Sequence, residues 1–245
     1  MLRVAIRPVS ARSTVLSILL GAHPPRLSAG ELVAAGGILG IREPTVRVAL
    51  TRMVAAGDLV RDGSGYSLSP RLLERQARQD AAQVPATRGW HGTWEMAVVT
   101  ASGRTASSRA ALRAQLTAIR VAELREGVWM RPANLRRPWP PELTEISTCF
   151  EVRPVGDAAT LVRQLWDLDT WAGQGNDLLA TLAKTDDPAN RFAVVAAVVR
   201  HLLTDPMLPP ELEPAGWPGA TLRAAYDDYR TWLLSLQPSL TKEDK

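Results

Sequence analysis

The chain has 245 residues, of which 46% are hydrophobic and 22% charged, a composition typical of a globular protein with two or three small domains. No apolar run approaches the roughly 20 residues that cross a bilayer, and the chain does not begin with a secretory signal pattern. We therefore expect a cytoplasmic protein with no membrane partner. The single cysteine, Cys149, excludes an internal disulfide and a thiolate zinc cluster.

The charge is divided unequally along the chain, although the net charge is only +4. Residues 1–137 hold 20 arginines against 9 acidic residues, a net charge of +11. Residues 138–245 hold 9 basic residues against 16 acidic ones, a net charge of −7. A polyanion is therefore expected to bind the first half of the chain.

The first 69 residues predict three helices and a hairpin. "ARSTVLSILLG" forms the first helix, and "SAGELVAAGGIL" forms the second, with Ser28 and Glu31 as a capping box. The third begins near Pro44 and is followed by "LVRD", a glycine turn and "YSLS", which alternate like paired strands. This is the element order of a winged helix-turn-helix, whose third helix enters the major groove of DNA.

The third helix has two different faces. Val46, Ala49, Leu50 and Met53 share one face and are expected in the core. The opposite face mixes guanidinium, hydroxyl and methyl groups, which can bind guanine edges, phosphates and thymine methyls. From spacing alone, a surface ion pair explains these arginines equally well. With two residues placed to reach phosphates, Arg42 before the helix and Arg61 in the hairpin, the candidate DNA-binding residues are Arg42, Thr45, Arg47, Val48, Thr51, Arg52 and Arg61.

The remainder of the chain predicts a linker helix, a mixed region and a helical region. "SPRLLERQARQDAAQ" forms the linker helix. Strand-like "TWEMAVVT", helix-like "SSRAALRAQLTAI" and strand-like "GVWMRP" and "EISTCFEVRP" then predict a small α+β domain. Three helical segments follow, beginning with "DAATLVRQLWDLDTWA", which we predict to be one helix.

Four of the eight tryptophans lie in the mixed region and four in the helical region that follows it, and core packing is the commoner role for an indole. An aromatic or acyl effector would nevertheless need an apolar pocket with a few polar groups. Basic residues lie on or beside the apolar helix "FAVVAAVV". The candidate effector-binding residues are Trp166, Trp171, Arg191, Arg200 and His201.

The sequence contains no phosphate-binding loop, no dinucleotide fingerprint and no zinc-protease motif. Its three histidines lie far apart, and Glu95, within the first strand of the mixed region, has no carboxylate partner for a metal. We therefore predict no catalytic residues, no metal and no cofactor.

Four stretches resemble the PaaX-type repressors, named for the regulator of phenylacetate breakdown. They are "VRVALTRMVAAGDLV", "GYSLSPRLLERQARQ", "GVWMRP" and "LLTDPMLPPELEPAGWPGATLRAAYDDY". The resemblance implies a homodimeric, one-component bacterial regulator, whose founding members are released from their operator by an aryl-CoA thioester. It also implies a middle ferredoxin-like domain, similar to the nuclease subunit of CRISPR adaptation, and leads us to expect an aromatic residue at position 58, where this chain has Asp58.

We therefore predict a multidomain α+β protein that acts as a transcriptional repressor. It would bind double-stranded operator DNA as a homodimer and be released by a small-molecule effector such as an acyl- or aryl-CoA thioester. The alternatives are a protein-docking or RNA-binding winged-helix module, or a metal-dependent nuclease acting through the ferredoxin-like domain. The predicted domains are a winged helix-turn-helix at 1–69, a linker helix at 70–88, a ferredoxin-like domain at 89–155 and a helical effector and dimerisation domain at 156–240.

Overall fold

The computed structural model describes residues 10–84 and 86–235, with only the backbone for the last two. These residues form an α+β structure with two small antiparallel sheets, which confirms the predicted fold class at that level. They divide into two compact units. Unit 1 contains residues 10–83, 174–202 and 219–235, and unit 2 contains residues 84–173 except 85, together with 203–218. Residues 156–235 are thus divided between the two units.

Unit 1 begins with three helices and a three-stranded sheet, in which the third strand in sequence lies between the first and the second. The capping box predicted at the second helix is present, because Ser28 Oγ accepts from the Glu31 amide at 3.2 Å and the Glu31 carboxylate accepts from the Ser28 amide at 2.7 Å. The elements are α1 (Ala11–Gly21), β1 (Arg26–Ser28), α2 (Ala29–Ile38), α3 (Glu43–Ala55), β2 (Leu59–Asp62), β3 (Gly65–Leu68) and α4 (Pro70–Gln83). Strand β1, only three residues long, is not predicted by the sequence pattern.

The three helices enclose an apolar core. Leu19, Leu32 and Leu50, one from each helix, are almost fully buried. Helices α2 and α3 approach closely at Gly36, where a β-carbon would lie 2.7 Å from Val46 Cγ2. A glycine is therefore needed at this crossing, and α3 is held firmly by its inner face.

Unit 1 also contains two helices from the C-terminal part of the chain, α9 (Pro188–Leu202) and α10 (Gly219–Ser235). Gln79 of α4 donates to the Tyr226 hydroxyl of α10 at 3.4 Å, and Gln76 of α4 donates to the carbonyls of Leu20 and Ala22 at 3.0 Å. Helix α4 therefore contacts α1 through one buried amide and α10 through another.

Unit 2 is built on a four-stranded sheet, in which the second, third, first and fourth strands of the unit lie side by side in that order and all neighbours are antiparallel. Its elements are β4 (Trp94–Val99), α5 (Ala106–Ala118), β5 (Ala122–Arg125), β6 (Val128–Pro132), α6 (Pro141–Thr144), β7 (Ser147–Val152), α7 (Ala158–Leu165) and a 3-10 turn at Pro210–Leu212. The sequence pattern does not predict β5, since this edge strand is short, rich in charge and irregular in register between Glu123 and Arg125.

The two faces of this sheet have separate cores. On one face Ala97 and Trp129 pack with Leu112 and Leu116 of α5. On the other face Trp94 and Met130 pack with residues of α7 and of the 203–218 segment. Alternation along β4 and β6 explains the division, because successive side chains point to opposite faces of a strand.

Arg131 of β6 is fully buried and organises the polar part of unit 2. Its guanidinium donates to Asn134 Oδ1 at 2.7 Å and to the carbonyls of Pro206 and Met207 at 3.3 and 3.0 Å, and it lies 3.3 Å from the Glu95 carboxylate. Burial lowers the pKa of Arg131, and the adjacent carboxylate opposes that shift. The segment 203–218 is thereby fastened to the sheet.

The segment "DAATLVRQLWDLDTWA" does not form the single helix that the sequence predicts. Trp166 adopts an extended backbone, with ψ 141°, and ends α7 there. Helix α8 (Leu168–Ala183) begins two residues later, and its last residues belong to unit 1. In the part of the chain that the structure describes, no helix is both long and apolar enough to cross a membrane.

Candidate nucleic-acid interface

Helix α3 is held in place by its inner face. Val46, Ala49, Leu50 and Met53 are buried, as the sequence predicts. Arg42 is the N-cap, and its carbonyl accepts from the Thr45 amide at 3.0 Å, while its side chain makes no capping bond. Because the core fixes this side of the helix, the orientation of the opposite side is also fixed.

The outer face of α3 is open to solvent. The structure exposes Val48, with 49% of its surface accessible, and its polar neighbours are exposed as well. An apolar side chain this exposed on an otherwise well-packed helix gains burial only if a partner covers it. The exposed side chains on this face are Thr45, Arg47, Val48, Thr51 and Arg52.

The arginines of the outer face differ in their partners. Arg47 Nε donates to the Glu43 carboxylate at 2.7 Å, an exposed pair one helical turn apart. Such pairs contribute about 0.3 to 0.5 kcal/mol, so a phosphate or a base can displace the glutamate at little cost. Within the described residues, the side chains of Arg42, Thr45 and Arg52 have no hydrogen-bond or ion-pair partner.

The hairpin adds one more basic group. Arg61 lies on β2, an edge strand of the first sheet, and is exposed. Its Nε makes only a long contact of 3.4 Å with the Gly63 carbonyl at the turn. Gly63 has φ 56°, a backbone conformation that favours glycine.

Asp58 connects the end of α3 to helices α1 and α4, a role that the sequence pattern does not predict. It lies between α3 and β2 with 2% of its surface exposed. Its two carboxylate oxygens accept from Arg12 of α1 at 2.6 Å and from Arg71 of α4 at 2.7 Å. The partners are 46 and 13 residues away in sequence, so no local pattern could have revealed the cluster. A carboxylate that binds two helices replaces the aromatic residue expected at this position.

The candidate effector residues are distributed over both units. Trp166 and Trp171 belong to unit 2, whereas Arg191, Arg200 and His201 belong to α9 in unit 1. The two tryptophans therefore belong to one unit, and the three basic residues belong to the other.

Their environments also differ. Trp171 is buried and stacks on Trp217 with ring centroids 4.3 Å apart, and its Nε1 donates to Thr204 Oγ1 at 3.1 Å. Trp166 is half-buried and lines an open groove of about 610 Å³ with Leu165 and Leu168. On α9, Arg200 is exposed, His201 is buried and Arg191 donates to the Thr185 carbonyl at 3.3 Å.

Glu95 is the acidic residue of β4 in unit 2. Its carboxylate is held between the guanidiniums of Arg131 and Arg137. Burial raises the pKa of Glu95, and the two arginines act against this shift. The structure therefore places Glu95 in an ion-pair cluster.

Comparison with known proteins gives matches along most of the chain. The model described as PaaX-like protein matches residues 10–72, that of the PaaX protein central Cas2-like domain residues 87–153, and that of the PaaX-like protein C-terminal domain residues 166–238. Among solved structures, the uncharacterized protein Rv0674 from Mycobacterium tuberculosis is 52% identical. The similarity covers 94% of this chain and 98% of that one, with a TM-score of 0.84. No curated protein matches the chain.

Proposed function

The chain belongs to the PaaX family of regulators, and on this basis we propose that it is a cytoplasmic bacterial transcriptional repressor that binds operator DNA through α3. The observation that carries the proposal is the outer face of α3, where an exposed valine lies among exposed arginines and threonines above a buried inner face. Such a face offers both hydrogen-bond donors and an apolar contact to the edges of bases.

The element order of residues 10–69 supports a winged helix-turn-helix. Helices α1 to α3 precede the β2–β3 hairpin, which would act as the wing. In this arrangement α3 lies in the major groove, with Arg47 and Arg52 reaching guanine and Val48 meeting a thymine methyl. Thr45 and Thr51 can contact base edges or phosphates from the same face. Arg42 and Arg61 would bind phosphates, which add affinity without sequence preference.

The sheet of unit 2 supports a ferredoxin-like domain, since its helices and strands follow the order β-α-β-β-α-β. We assign dimer contacts to this domain and to the C-terminal helices, because one winged helix seldom provides enough operator discrimination alone. A palindromic operator would then match the twofold symmetry of the homodimer.

Release from DNA requires an effector that binds better to a DNA-incompetent state. A coupling free energy of about 1 to 3 kcal/mol between the two sites would change operator affinity from several-fold to a hundredfold. Within unit 1, the contacts of Tyr226 with Gln79 and of Gln76 with Leu20 provide a physical connection between α10, α4 and α1. An acyl- or aryl-CoA thioester is the effector class that we propose. Its candidate contacts form two separate sets, Trp166 and Trp171 in unit 2, and Arg191, Arg200 and His201 in unit 1.

Duplex binding by the full chain tests the proposal. Fluorescence anisotropy is measured with duplex DNA from the protein's own upstream region, a scrambled duplex of equal length and a single-stranded RNA. We expect the upstream duplex to bind at least about a thousandfold more tightly than the scrambled one at physiological salt. Equal binding of both duplexes, or preferential binding of the RNA, would refute the repressor assignment.

A matched pair of variants ties the binding to α3. Arg52→Ala removes an unpaired guanidinium from the outer face, and Arg153→Ala removes an exposed arginine of unit 2 as the control. Only the first should lose affinity for the upstream duplex. Equal losses in both variants would indicate a general effect of charge and contradict the proposed role of α3.

A further inference from the structure

Unit 2 has an open groove between α5 and the sheet, with a volume of about 840 Å³. Its apolar part comprises Val99, Leu112 and Trp129. Its polar part is dominated by arginines, since Arg104, Arg109, Arg113 and Arg125 all line it. The charge and the apolar surface thus occur in one concavity, as they do in sites for small molecules.

Two of these arginines are already engaged within the protein. Arg113 donates to the Glu123 carboxylate at 2.7 Å, which neutralises one acidic side chain of the groove. Arg104 Nη2 donates to the Ser108 carbonyl and hydroxyl at 2.9 Å. Arg104 Nη1, however, is enclosed and has no acceptor in the described part of the chain. Arg104 therefore lines the groove as a positive charge held in place by Ser108.

The other two arginines are free to bind a ligand. Arg109 and Arg125 are exposed, and their side chains have neither a hydrogen-bond nor an ion-pair partner among residues 10–84 and 86–235. After the Arg113–Glu123 pair is set aside, three arginines face one remaining acidic residue, Glu126. The groove thus keeps an excess of positive charge.

The start of α5 adds to the positive charge at the groove. Arg104 precedes the helix and Ala106 is its first residue, and both line the groove. The amino end of a helix of 13 residues carries a partial positive charge from its aligned peptide dipoles. This adds to the field of the guanidiniums and does not by itself define the site.

We propose that this groove binds a phosphate-bearing small molecule, with its phosphates on Arg109 and Arg125 beside the charge of Arg104 and its apolar or aromatic part against Val99 and Leu112. Guanidiniums bind phosphate through paired, charge-assisted hydrogen bonds. The groove has the size of a small-molecule pocket, which favours a nucleotide-sized ligand over duplex DNA. The assignment concerns unit 2 alone and does not rest on the proposed role of α3.

Isothermal titration of the full chain with ADP and with adenosine tests the phosphate requirement. We expect ADP to bind and adenosine, which has the same base and sugar, to bind at least about tenfold more weakly, since it lacks the charge-assisted bonds. Inorganic pyrophosphate should displace ADP. Equal binding of adenosine, failure of pyrophosphate to compete, or no ADP binding would overturn the proposal.

Variants locate the ligand. Arg109→Ala and Arg125→Ala should each weaken ADP binding about tenfold, whereas Arg136→Ala, an exposed arginine of the same unit outside the groove, should leave it unchanged. All three side chains are exposed, so circular dichroism is expected to show the same folded protein in each case. If ADP binding is unchanged in both groove variants, or if they lose duplex DNA binding while ADP binding persists, the proposed site is wrong.

Discussion

Asp58 accepts a hydrogen bond from Arg12 at 2.6 Å, although the carboxylate is almost wholly buried and the guanidinium side chain is 58% exposed. The second carboxylate oxygen accepts from Arg71, which is also exposed. A buried charge is stable only when it is paired and hydrogen-bonded, and here the two partners come from α1 and α4. The two ion pairs thereby connect the junction between α3 and β2 to α1 and to α4.

The double variant Arg12→Ala/Arg71→Ala should destabilise unit 1. It removes both partners of the Asp58 carboxylate. Because the two arginine side chains are themselves largely exposed, their truncation lets water reach the carboxylate, and we expect a cost of about 1 to 3 kcal/mol. Each single variant should cost much less, because the other arginine still satisfies the carboxylate. Urea unfolding followed by circular dichroism measures the effect.

The matched control for this pair is Arg75→Ala on α4, whose exposed side chain has no partner in the described residues. Its unfolding midpoint should equal that of the unchanged protein. A double variant as stable as this control would show that the bridge contributes nothing to stability.

Arg47→Ala should weaken binding to operator DNA by about 1 to 3 kcal/mol and relax the base preference at one position. The expected loss comes from the bidentate contact of an arginine with guanine, for which Arg47 must leave Glu43. Competition assays with operators substituted one base pair at a time measure both effects. An unchanged base preference at every position would remove Arg47 from direct readout.

Arg61→Ala should weaken binding to operator and scrambled DNA by similar factors. If Arg61 neutralises one phosphate, the slope of log K against log salt should become shallower by about 0.9. Anisotropy titrations at several salt concentrations give the slope, with Arg153→Ala in unit 2 as the comparison. A slope identical to that of the unchanged protein would show that Arg61 contacts no phosphate and is an ordinary solvated charge.

Glu95→Gln should destabilise unit 2, because it removes the counter-charge of the fully buried Arg131. Breaking a buried pair at one partner costs about 3 to 5 kcal/mol. Differential scanning calorimetry should show a lower transition temperature for this variant. The control is Glu142→Gln, which changes an exposed acid of α6 and should leave the transition temperature unchanged. If Glu95→Gln melts like the unchanged protein, the carbonyl oxygens around Arg131 suffice to stabilise it.

Most of the helices could be predicted because their signals are local. The capping box at Ser28, the proline near the start of α3 and the alternation of buried and exposed residues along α3 depend on neighbours within one or two turns. The strands β4, β6 and β7 were found for the same reason. Strands β1 and β5 were missed because they are short, and their pairing depends on distant strands.

The groove of unit 2 was also missed. Arg109 and Arg113 lie one turn apart on α5, a spacing that indicates a basic helix face, but nothing local places Arg125 of β5 beside them. Likewise, no sequence pattern separates Trp166 and Trp171 from the basic residues of α9, which the structure assigns to another unit.

The sequence by itself determined the helical order of the first 69 residues, the outer face of α3 and the concentration of positive charge in the first half of the chain. These properties follow from spacing and composition, which act over a few residues. Only the tertiary structure decided the partners of Asp58 and Arg131, the distribution of the C-terminal helices and the groove of unit 2. Each of these depends on contacts between residues far apart in sequence, and such contacts form only when the chain has folded to bury its apolar surface.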